Sequence, residues 1–122
     1  MNERRTIDVQ TEFDISMARM QVRKLASAIG FDITGQARVA LATSSLARAL
    51  RLGETYQGHI VIACLGEGER SGVQVACTVV DGADFEIGSR AFTDVKWLVD
   101  DLIIKDLGSN DLQVTLIKWG AS

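Results

Sequence analysis

Apolar residues along this chain recur first with a helical period and then with that of a strand. Ile15, Ala18, Val22, Leu25, Ala26 and Ile29 are spaced three and four apart, so they share one face of an amphipathic helix. Asp14 stands just before them and predicts the N-cap, because a short carboxylate accepts backbone N–H groups left free at a helix start. Gly30 predicts the stop. Ala37, Ala40, Leu41, Ser44 and Ala47 repeat the spacing with small side chains. They predict a second helix, capped by Thr34, running to Leu52 and ended by Gly53, that packs closely on a helix or sheet.

The period then shortens. His59–Leu65 and Val73–Val80 are rich in Val, Ile and Cys, as strands are, and Glu67 to Gly72 between them reads as a hairpin loop. Ser89 or Thr93 starts a third expected helix carrying Val95, Leu98, Val99 and Leu102. Ile103–Leu107 and Leu112–Trp119 read as a closing hairpin around Gly108-Ser109-Asn110-Asp111, residue types that tolerate tight turns. Arg5–Val9 alternates weakly and predicts an edge strand. The order is strand, two helices, two strands, helix, two strands. It predicts an α+β fold: a two-layer sandwich with a mixed, mostly antiparallel sheet and about three helices on one face. No linker or repeat divides residues 1–122, which read as one domain.

Composition narrows the function classes. The net charge is -3, and the basic residues are spread among the acids, so there is no basic stripe for nucleic acid. No apolar run approaches the roughly 20 residues that span a bilayer, and Met1 to Arg5 leads into polar residues, so the cytoplasm is the simplest expectation. Cys64 and Cys77 form no CxxC pair and His59 is the sole histidine. Structural thiols are expected, with no metal site.

Six segments carry a family resemblance: Thr11-Glu12-Phe13-Asp14-Ile15, Gly30-Phe31, Gln36-Ala37-Arg38, Leu46-Ala47-Arg48, Val95-Lys96 and Ile117-Lys118-Trp119. In these the chain resembles the GHKL ATPase superfamily, specifically the RsbT/RsbW-like anti-sigma serine kinases of bacterial partner switching. The resemblance covers nearly the whole chain and is nearest the RsbT branch. It implies a helical layer on a mixed sheet, ATP and Mg²⁺ as cofactors, and partners that are STAS-domain antagonists, sigma-like factors or PPM-type phosphatase regulatory domains. It also implies the possibility of a homodimer, to which the strand near Ile7 would contribute.

The nucleotide site implied by that resemblance is degenerate here. Its base and Mg²⁺ positions, four residues apart on the second helix, fall on Ser45 and Ala49. A methyl group cannot coordinate a cation. The adenine-binding turn keeps Asp81, but its two glycine positions hold Ala83 and Phe85, and Asp84 adds negative charge. The glycine-rich phosphate stretch falls on Ser89 to Asp94 with no glycine, and so few residues separate Phe85 from Phe92 that the ATP lid reads as deleted.

Two expectations follow. One is a catalytically inactive regulator that acts by protein–protein binding, with no cofactor, using the helix Asp14–Ile29 and its neighbouring loops. The other is an ATP-dependent serine/threonine kinase with a rebuilt site, in which Asp81 holds adenine and Arg48, Arg90 or Lys96 replaces Mg²⁺ as counter-charge. Single residues carry alternatives as well. Asp81 is an adenine contact or a turn residue, and Arg48 meets an anion, a partner carboxylate or only solvent. Ser45 is a weak ligand or a packing residue. Phe85 and Phe92 fill the emptied cavity. Trp97 is a candidate partner anchor, since Trp is enriched at binding hot spots, and Trp119 packs at a strand end.

Overall fold

The computed structural model describes residues 4–82 and 92–120. Eight elements follow in the order read from the sequence: β1 (Arg4–Val9), α1 (Glu12–Ala28), α2 (Ile33–Ala49), β2 (Gln57–Glu67), β3 (Arg70–Val80), α3 (Thr93–Leu98), β4 (Asp101–Gly108) and β5 (Asp111–Trp119). The strands form one five-stranded sheet in the order β1-β2-β3-β5-β4. Every neighbouring pair is antiparallel, so the expected mixed character is absent among the described residues.

Both long helices begin before the expected caps. Thr11, not Asp14, is the N-cap of α1; Asp14 sits one turn inside and accepts the N–H groups of Gln10 at 2.9 Å and Thr11 at 3.1 Å. Those bonds hold the Asp14 carboxyl below its usual pKa. Asp32, not Thr34, caps α2 through a 2.7 Å bond from the Gly35 N–H. Each helix also ends in the same closure. In α1, Gly30 takes a left-handed φ of 96° and the Phe31 N–H reaches the Ala26 carbonyl at 2.9 Å. In α2, Arg51 takes the left-handed place at φ 56° and the Leu52 N–H bonds the Ala47 carbonyl at 3.0 Å. The helix therefore stops at Ala49, short of the expected Leu52.

The β2–β3 hairpin is longer than its apolar runs suggest. It extends to Glu67 opposite Arg70, whose ion pair measures 3.2 Å, and leaves only Gly68-Glu69 as the turn. The last hairpin turns through Ser109 and Asn110, both at positive φ, as a tight two-residue hairpin turn requires. α3 spans six residues, so Val99 lies beyond it and Leu102 belongs to β4.

The core lies between the helices and one face of the sheet. Ile60, Ile62, Val75, Cys77, Val114 and Leu116 are fully buried there, against Val22, Leu25, Val39 and Leu46 from α1 and α2. The small face of α2 buries Ala42, Thr43, Ser44 and Ala47. The hydroxyls of Thr43 and Ser44 are satisfied within the helix by Val39 O and Leu41 O. Register places Arg4, Thr6 and Asp8 of β1 on the opposite face, together with His59, Val61 and Ala63 of β2.

Candidate functional site

Ser45 and Ala49 lie one turn apart near the end of α2, both half-buried. The Ala49 side chain packs against the hydrophobic core. It offers no lone pair to a cation. α3 packs against α2 and sends Phe92 and Val95 into the same core, at 4% and 1% exposure. Ala83, Asp84, Phe85, Ser89 and Arg90 lie outside the described residues.

Asp81 follows β3 in the left-handed region, φ 56°, and is exposed. Its backbone N–H donates to Asp111 Oδ1 at 3.1 Å, and the Gly82 N–H donates to the Asn110 carbonyl at 2.7 Å. These bonds tie the end of β3 to the β4–β5 turn, which gives Asp81 a structural task whatever else it does. Asp is among the few residues that enter this region at low cost.

Arg48 is exposed and lines a groove of about 130 Å³ between α1 and α2 with Glu12, Ser16, Arg19 and Ser44. Lys96, another of the expected counter-charges, and Asp81, the expected adenine contact, are not among the residues that line that groove. Trp97 projects from α3 at 81% exposure, the most exposed large apolar side chain among the described residues. Trp119 behaves differently. It is half-buried, packs over Gly72 on the neighbouring strand and carries the Arg70 guanidinium 4.2 Å above its ring.

Neither cysteine is in a disulfide. Cys77 is fully buried, and burial pushes its thiol up to about 12. Cys64 is half-buried. Among the described residues no three His, Cys, Asp or Glu side chains are grouped to hold a metal ion.

Two further features were not read from the sequence. A groove of about 190 Å³ brings Phe31, Gly35, Arg38, Lys118 and Trp119 together. Phe31, Arg38 and the pair Lys118-Trp119 come from three of the segments that carry the family resemblance, the last of them far from the other two in the chain. A larger groove, about 510 Å³, runs between β1 and α1, lined by Ile7, Phe13, Met17 and Gln21. The Arg5 guanidinium donates to Gln21 Oε1 across it. The available signal was Phe13, an aromatic residue off the buried stripe of α1, which the structure leaves 69% exposed.

No family model matches the chain. It is 27% identical over 98% of its length, and 98% of the relative's, to the serine/threonine-protein kinase RsbT of Bacillus subtilis (strain 168). Its whole length superposes with a TM-score of 0.71 and 20% identity on a crystal structure of the RsbU and RsbW domains of a Mycobacterium tuberculosis protein. The chain spans 33% of that larger chain. No helix among the described residues is long and apolar enough to cross a membrane.

Proposed function

From the premise of an RsbT/RsbW-like fold of the GHKL anti-sigma kinase type, we propose that this chain is a cytoplasmic partner-switching regulator that works by protein–protein binding without phosphoryl transfer. The observation that carries this is Ala49. At the position where the resemblance expects a Mg²⁺ ligand, α2 presents a methyl group packed into the core. Ser45, one turn earlier, supplies a hydroxyl where a carboxylate base is expected. Phosphoryl transfer depends on charge stabilisation and positioning of the phosphates, and these two side chains supply neither. A deleted ATP lid is part of the same proposal.

The partners under this reading are a STAS-domain antagonist, a sigma-like factor or the regulatory domain of a PPM-type phosphatase. The exposed Trp97 is offered as one anchor. The similarity to a protein named as a serine/threonine kinase favours a second reading, in which the chain is itself such a kinase with a rebuilt site. Calorimetric titration with ATP, with and without Mg²⁺, separates the two. The expected result is no saturable heat at millimolar nucleotide. Saturable, magnesium-dependent binding overturns the proposal and puts a phosphotransfer assay on a STAS-domain substrate next.

A further inference from the structure

The helices cover one face of the sheet, and among the described residues no layer covers the other. Strand registers lay that open face out as a grid of rows running across all five strands. One row runs from Asp8 on β1 through His59, Thr78 and Gln113 to Lys105 on β4. The next runs from Thr6 through Val61, Ala76 and Thr115 to Ile103. The third runs from Arg4 through Ala63, Gln74 and Ile117 to Asp101.

The corners of this grid hold all of its charge at neutral pH, and the signs alternate round it: Asp8, Lys105, Asp101, Arg4. All four corners are exposed. The middle is apolar or uncharged and small in side chain along β3, where Ala76 lies at the centre. A sheet with one face in water normally turns polar residues outward. Val61, Ala76, Ile103 and Ile117 depart from that rule, and Ile103 is half exposed.

The alternating corners name the occupant. Two copies stacked face to face about a two-fold axis along β3 lay β1 of each over β4 of the other. Asp8 then meets the other copy's Lys105, and Arg4 meets its Asp101, each twice, so every corner faces an opposite charge. Inside the grid, polar groups also meet polar groups: His59 lies over the other copy's Gln113, Thr78 over Thr78 and Gln74 over Gln74. The small Ala63 lies over the large Ile117. An axis across the strands also pairs the corners, but it sets Gln113 over Ile117 and His59 over Ala63, which buries polar groups without partners.

We infer that the open sheet face is a homotypic docking surface: a second copy of this chain stacks on it, β3 over β3, to give four layers in the order helices, sheet, sheet, helices. Sheets packed in this aligned way lie about 10 Å apart with strands within about 30° of each other. The contact is isologous, as a closed pair requires. Five strands about 4.8 Å apart and three rows about 7 Å apart give a footprint of roughly 500 Å² on each copy. Together that is about 1,000 Å², at the low end for specific interfaces, so association is expected to depend on concentration in the micromolar range. The stack leaves the backbone edge of β1 and the outer surface of α1 open. It is separate from pairing at that edge and does not rest on whether nucleotide is bound.

Sedimentation equilibrium of the whole chain tests it with charge swaps. The wild type is expected to self-associate as its concentration rises. Asp8→Lys and Lys105→Asp each set like charges opposite one another twice and are expected to weaken the stack by about tenfold or more. An equimolar mixture of the two variants sets opposite charges at both contacts and is expected to regain the wild-type association as a heterodimer. Both positions are exposed, and circular dichroism checks that each variant is folded. Lys105 lies on the sheet edge opposite β1, so Lys105→Asp separates this stack from pairing of β1 edges, which it would leave undiminished. A wild type that stays monomeric overturns the inference, including one whose open face takes up another protein instead. So does association that Lys105→Asp leaves unchanged. A mixture that fails to recover overturns it as well, since a stack turned about the axis across the strands would give that result.

Discussion

Asp14 shows how one side chain sets a local boundary and a pH dependence. Its carboxylate accepts two backbone N–H groups at the start of α1, from Gln10 and Thr11, and these bonds lower its pKa. Because the folded-state pKa is depressed, its contribution to stability is fully present above the unfolded value of 3.8. It is lost as pH falls through the lower folded value. Asp14→Ala is therefore expected to lower the melting temperature at pH 7. The gap to the wild type should narrow as pH falls below 3.8 and close once the carboxyl is protonated in the folded state as well. A gap that stays constant across that range would show that packing, not the charged hydrogen bonds, is at stake. The sequence points to Asp14 as a residue of the helix start but places it at the wrong position. Thr11, Asp14, Asp32 and Thr34 are all good cap residues, and only the path of the chain before each helix decides which one leaves the helical conformation.

At the level of elements, α2 carries the two sequence-marked site positions and its start is held by one hydrogen bond from Gly35 to Asp32. Asp32→Ala is expected to destabilise the protein by about 1 kcal/mol, the usual cost of removing an N-cap side chain. Urea unfolding measures this, and a change below the error of the fit would mean that packing alone holds the helix start. The far end of α2 was harder to read. Glycine usually fills the left-handed place after a helix, so Gly30 announces the end of α1 correctly while Arg51 conceals the end of α2. The strands were legible because Val, Ile and Cys cluster in them. Their full length was not, since Glu67 and Arg70 extend the hairpin by pairing across it and not by being apolar.

Across the whole molecule, the element order and layer arrangement were legible, because each element carries its own period and turn signals. The convergence of residues was not. Arg38, Lys118 and Trp119 meet in one groove, and Ile7 and Phe13 in another, through pairings that a linear pattern does not encode. Arg48 and Asp81, both named for the expected site, stand in different surroundings, the first in the α1–α2 groove and the second where β3 meets the β4–β5 turn. The strand order also ranks the backbone by accessibility to solvent deuterium. β3 has a partner on each side along Val73–Val79, so every amide there points to another strand. Those amides are expected to exchange only when the whole chain unfolds, with a protection free energy equal to the global stability. The outward amides of β4 have no strand partner among the described residues and are expected to exchange by fluctuation alone. Exchange followed residue by residue by NMR would read the order β1-β2-β3-β5-β4 directly as a gradient of rates falling toward the centre. Uniform protection across all five strands would contradict it.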